Sequence, residues 1–124
     1  MKDNVEIVDF PSAGVRAVDE AERFVVWEEI FSPGVATCAH RHRRDYIAFF
    51  PDGGELTLSH VAGGFEDYAV LSGEMSPLPS STSGARFAIA PGTAIRSRVP
   101  PEGTVHVALN EGGRPLRMVL VEFK

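Results

Sequence analysis

Turn-forming residues recur about every ten positions along this chain, and that spacing constrains the fold more than any other feature. Ser32-Pro33-Gly34, Asp52-Gly53-Gly54, Gly63-Gly64, Ser72-Gly73, Pro91-Gly92, Glu102-Gly103 and Gly112-Gly113 punctuate short β-rich segments. Regular turns between such segments predict an all-β sandwich or barrel. The expected strands are 4–10, 23–31, 35–42, 46–51, 55–61, 66–71, 86–90, 94–99, 105–110 and 116–123. Alternation of apolar and polar residues is clearest in Glu55-Leu56-Thr57-Leu58-Ser59 and in Leu116 to Val121. Asp52-Gly53 suits a hairpin, because glycine takes the positive φ such turns need. Only Ala17 to Glu22 has helical composition, enough for one or two turns, and nine prolines break up anything longer. Ser76 to Gly84 is small, polar and proline-punctuated, and is expected to be a surface loop or a lid over a barrel mouth.

Histidines stand in two separated blocks: Gly34-x5-His40-x-His42-x3-Tyr46-x6-Gly53, and Pro101-x-Gly103-x2-His106-x3-Asn110. Side chains two apart on a strand share a face, so His40 and His42 point the same way. His106 joins them only if the fold lays a second strand alongside. Three neutral imidazoles converging inside a barrel would form a divalent-metal site with open positions. His60 lies outside both blocks and is expected to be structural or exposed.

The two blocks resemble the paired signatures of the cupin superfamily, G-x5-H-x-H-x3-E-x6-G and G-x5-P-x-G-x2-H-x3-N. Gly34, His40, His42, Gly53, Pro101, Gly103, His106 and Asn110 stand in register with them. Tyr46 replaces the glutamate of the first motif, and Ile95 replaces the opening glycine of the second. The resemblance covers residues 34–53 and 95–110 directly. It implies a double-stranded β-helix, the jelly-roll form, with His40, His42 and His106 as metal ligands and Asn110 bracing a turn. It also implies a homodimer paired through N-terminal strands, where Val5, Ile7, Val8 and Phe10 are apolar.

A chain of 124 residues is expected to form one domain, 1–124, burying about two-thirds of its unfolded surface. One cysteine, Cys38, rules out an internal disulfide framework and suits a reducing compartment. The first residues lack the apolar core of a secretory signal, and no stretch approaches the length of a membrane helix. The cytoplasm is the expected location, with no membrane partner. A net charge of −5 argues against nucleic acid despite the run His40-Arg41-His42-Arg43-Arg44.

Without the motif glutamate the centre is expected to be more positive and to favour an anionic small molecule. Iron, manganese, nickel, zinc and cobalt all suit such a site. Tyr46 either donates a hydrogen bond or proton to that molecule or serves as a barrel-lining aromatic. Asp45, one residue early, is turned away by strand parity. Cys38 shares the parity of His40 and His42, so it either faces the same cavity or packs as a small hydrophobe. Arg96 and Arg98 share one strand face. Turned inward they would clamp a carboxylate or phosphate; turned outward, opposite Ile95, Ser97 and Val99, they are solvated charges. Two functions remain open: a metal-dependent oxygenase, isomerase or lyase acting on a small organic acid, or a non-catalytic cupin that binds a small molecule, with or without metal.

Overall fold

The computed structural model describes residues 6–80 and 82–124. Twelve strands follow in chain order: β1 Ile7–Asp9, β2 Val15–Glu20, β3 Phe24–Phe31, β4 Ala39–His42, β5 Tyr46–Phe50, β6 Gly54–Gly63, β7 Asp67–Ser72, β8 Met75–Leu78, β9 Ala85–Ile89, β10 Thr93–Arg98, β11 Thr104–Leu109 and β12 Leu116–Phe123. They form two six-stranded sheets, ordered β1-β4-β11-β6-β9-β8 and β2-β3-β12-β5-β10-β7. All pairings within the two sheets are antiparallel except that of β1 with β4. The all-β architecture expected from turn spacing, and the jelly roll that the resemblance implies, are the fold observed. Val5, one of the apolar residues expected at a dimer contact, lies outside the described residues. Among the described residues no helix is long and apolar enough to cross a membrane.

Alternation decides what fills the space between the sheets. Along β12, Leu116, Met118, Leu120 and Glu122 are buried, whereas Arg117 and Phe123 are exposed. Phe31, Ala48, Phe50, Leu56, Ile89 and Ile95 meet the β12 residues in one apolar cluster. Each large side chain so buried contributes about 1.5–3 kcal/mol.

Two local expectations fail. Val15–Glu20 is a strand, not a helical turn: it pairs with β3, and Arg16 is ion-paired with Glu28 at 2.6 Å. Alanine and glutamate favour a helix by only tenths of a kcal/mol, so a ready partner edge overrides them. The proline-rich segment from Ser76 is not all loop either, since Met75–Leu78 pairs with β9. Pro77 is tolerated because β8 is an edge strand with no neighbour on its outer side.

Motif residues outside the cavity hold turns. Gly53 has φ +68°, and a Cβ there would sit 2.5 Å from the Ile89 carbonyl oxygen, so no larger residue fits. Asn110 is fully buried and ties three strands' ends together: its Nδ2 donates to the carbonyls of Phe31 (2.9 Å) and Arg114 (2.7 Å), and its Oδ1 accepts from Gly112 N (2.8 Å).

Candidate metal centre

β4 carries His40 and His42 inward on one face, and β11 lies antiparallel beside it with His106 opposite His40 and Thr104 opposite His42. The pleat therefore assembles the trio without any loop. The turn entering β11 passes so close to β4 that a Cβ on Gly103 (φ +79°) would lie 3.0 Å from the His42 carbonyl oxygen. This accounts physically for a glycine three residues before the histidine. The three rings are buried, with centroids 4.6–5.0 Å apart. One nitrogen from each lies within 4.8 Å of the others. Three nitrogens bound tetrahedrally at about 2.1 Å to one ion sit about 3.4 Å apart, so the rings must draw together by about an ångström to become a ligand set.

The ring surroundings fit a metal. His40 Nδ1 lies 3.0 Å from the Cys38 carbonyl, which only accepts, so the proton sits on Nδ1 and Nε2 is left with its lone pair. His106 Nδ1 lies 3.2 Å from Glu66 Oε1, the carboxylate–imidazole pairing that orients metal-bound histidines. His42 packs against Phe10 and Tyr46, each at 4.6 Å, and its buried Nδ1 has no hydrogen-bond partner among the described residues. A buried imidazole nitrogen left unpaired is costly unless something else satisfies it. Burial, then the neighbouring His106, pushes the His40 pKa down to about 4. Burial, then His106 and His40, holds His42 well below its ordinary value. Both rings are neutral at neutral pH, as ligands must be.

Glu66 was not singled out by the sequence motifs. It sits between β6 and β7, just after Gly63-Gly64, and its Oε2 accepts a 2.6 Å hydrogen bond from the Tyr46 hydroxyl. Burial acts to raise the Glu66 pKa, but hydrogen bonding and charge from His106, with bonds from Tyr46 and Ser97, outweigh it and leave the value lowered. Burial, reinforced by Glu66, holds the Tyr46 phenol well above its usual value, so it stays protonated. The expected deficit of negative charge is thus made good from another loop, and Tyr46 is committed to that carboxylate. Tyr46→Phe removes one bond to Glu66, whereas Glu66→Gln removes the charge behind His106. The expected result is a 10- to 100-fold loss of zinc affinity in Glu66→Gln and a smaller loss in Tyr46→Phe, measured by competition with a chromophoric chelator.

The histidines open on an internal cavity of about 70 Å³, room for roughly five water-sized groups. Phe50, Leu56, Leu58, Ile95, Met118 and Leu120 are among the apolar residues that line it. Phe49, the other phenylalanine of β5, faces out. Leu58, Glu66, Tyr68, Phe87 and His106 also line a second recess of about 190 Å³, where Phe65 is exposed and stacked on His60 at 4.1 Å. His60 is exposed, opposite His106 on β6.

None of the three other candidate pocket residues lines the cavity, and the arginines take the second of the readings open to them. Cys38 is exposed and precedes β4, which starts at Ala39, so strand parity does not extend to it. Arg96 and Arg98 lie outside the cavity: Ile95 and Ser97 face in, which turns the two arginines to the outer side, and no guanidinium clamp forms. Asp45 also stays out of the cavity, where its Oδ1 accepts from Val99 N at 2.8 Å.

Solved structures share this architecture. A cupin domain of Bordetella pertussis Tohama I is 23% identical, with 89% of this chain and 91% of that one covered, at a TM-score of 0.59. The chain has the cupin fold. An RmlC-like cupin family protein with a double-stranded β-helix fold from Methanocaldococcus jannaschii is 12% identical, covers 88% of this chain and 77% of its own, and scores 0.56. The polyketide cyclase RemF from Streptomyces resistomycificus is 22% identical over 88% of this chain and 63% of its own length, at 0.54. No family model matches the sequence, and no curated protein matches it. In this cupin barrel the histidines occupy the inner face of one sheet, with Tyr46 and Ser97 facing them from the other.

Proposed function

We propose that this cupin is a metal-dependent enzyme, of oxygenase, isomerase or lyase type, that acts on a small organic acid held at a three-histidine centre. The observation that carries the reading is the convergence of three buried imidazoles on one point, two of them neutral and one backed by a carboxylate. His40, His42 and His106 would hold a divalent ion of iron, manganese, nickel, zinc or cobalt. A bound ion of this kind supplies Lewis acidity and a template for an oxygen-bearing molecule. Three neutral ligands, one carboxylate and a divalent cation leave one net positive charge, which favours an anion. The protein's own part is to exclude water with an apolar wall, to fix the His106 ring through Glu66, and to hold Glu66 through Tyr46.

One observation favours a non-catalytic binder instead: the Tyr46 hydroxyl, which on one reading would give its proton to the ligand, is already bonded to Glu66. Elemental analysis of protein purified without an affinity tag, followed by turnover assays on short-chain acids with each metal, separates the two. About one equivalent of metal with turnover supports the enzyme; metal and acid binding without turnover supports the binder. Less than a tenth of an equivalent, with no uptake on reconstitution, sinks the metal reading.

The same reading takes residues 1–124 as one domain acting in the cytoplasm, where an exposed thiol such as Cys38 persists. We place a homodimer contact at the β1 edge of the first sheet, where Ile7 is exposed. Phe10 is excluded from that contact, because it packs against His42 inside its own barrel.

A further inference from the structure

β3 reads Phe24-Val25-Val26-Trp27-Glu28-Glu29-Ile30-Phe31, and its buried members are Val25, Glu29 and Phe31. A glutamate therefore stands on the inward face of an apolar strand. Glu29 is only 6% exposed and lines the same cavity as the histidines, yet its carboxyl has no hydrogen-bond or ion-pair partner among the described residues. The buried acids nearest in kind are all committed: Glu66 to His106 and Tyr46, and Glu122 to the Trp27 indole at 3.4 Å. Burying a carboxyl with nothing to satisfy it is among the more costly choices a core can make. Burial alone pushes its pKa up to about 7, so the group is present in both protonation states near neutrality. Such a cost persists where a ligand supplies the missing partner.

Its position sets the kind of ligand. Glu29 is in register with Met118, and Tyr46 with Glu122. The two rows are four residues apart along β12, about 13 Å at strand spacing. Between them the wall is Ala48, Ile95 and Leu120. The cavity thus has a histidine end, an apolar middle and a single polar group at the other end.

We propose that Glu29 is a ligand-binding residue that hydrogen-bonds a hydroxyl at the far end of a short-chain acid whose carboxylate faces the histidines. The ligand class is a narrow ω-hydroxy acid with an unbranched apolar middle. This deepens the proposed function and rests on its metal-held carboxylate.

The test uses 4-hydroxybutanoate and pentanoate, which differ by a hydroxyl in place of a methyl, titrated calorimetrically into zinc-loaded protein. The wild type is expected to prefer the hydroxy acid about tenfold, Glu29→Gln to keep a preference of the same sign, and Glu29→Met to reverse it. Separately, metal-free Glu29→Met is expected to melt about 5 °C above the wild type at pH 8, because an unpaired buried carboxyl is replaced by a side chain of similar length. An unchanged preference in Glu29→Met overturns the proposal. So does a lower melting temperature, which would make Glu29 a structural group. Affinity for neither acid counts against the ion-held carboxylate of the proposed function; the melting comparison needs neither ion nor acid and then decides Glu29 by itself.

Discussion

Zinc added to metal-free protein is expected to raise its melting temperature on the order of 10 °C at a thousandfold excess over the dissociation constant. The size follows from mass action: an ion that binds only the folded chain adds about 4 kcal/mol at that ratio. In a domain of this size one kcal/mol moves the midpoint by a few degrees. On the proposed reading His40, His42 and His106 would each supply one ligand nitrogen, so replacing any one with alanine should abolish the shift. His60→Ala is the control, because that residue is exposed and stacked on Phe65 outside the cluster. Differential scanning calorimetry with and without zinc reads both. A full shift that survives in His106→Ala would show that the ion binds elsewhere.

Asn110→Ala is expected to destabilise the fold by about 3–5 kcal/mol. The side chain satisfies the carbonyls of Phe31 and Arg114 and the amide of Gly112. Its removal strands these groups around a fully buried position, at about 1–3 kcal/mol for each group left unsatisfied. Asn110→Asp separates shape from donor chemistry. It keeps the volume and the acceptor for Gly112, but it turns an oxygen toward two carbonyl oxygens. Urea denaturation should therefore find it at least as damaging as alanine. An aspartate variant near wild-type stability would mean that filling space, not donating hydrogen bonds, is what the position does.

The parts of this molecule that were legible in the sequence are those governed by short-range geometry. His40 and His42 share a face because of the two-residue pleat, and the glycines at 53 and 103 mark places where backbones meet. That His106 joins His40 and His42 came only through the resemblance, since no local rule pairs residues so far apart in the chain; its place opposite His40 came from the structure. Glu66 left no signal beyond the Gly63-Gly64 turn before it; its role depends on where that loop lands. Glu29 was not singled out, although alternation along β3 puts it with Val25 and Phe31 and a carboxylate on an inward face asks for an explanation. Cys38 shows the limit of the same rule: parity holds only within a strand, and β4 begins one residue later. Val15–Glu20 shows the other limit, where composition favoured a helix and an available partner strand prevailed.

Ile7–Asp9 adds to the outer edge of the histidine strand in parallel, and Phe10, whose amide donates to the Arg41 carbonyl at 2.9 Å, seats its ring on His42. The candidate ligand residues and the ring stacked on them are therefore brought together from segments far apart in the chain. An ion taken up there would arrive late, latching a finished container instead of guiding its construction. Its grip would be felt in how slowly the closed state comes apart, with little influence on how fast it forms.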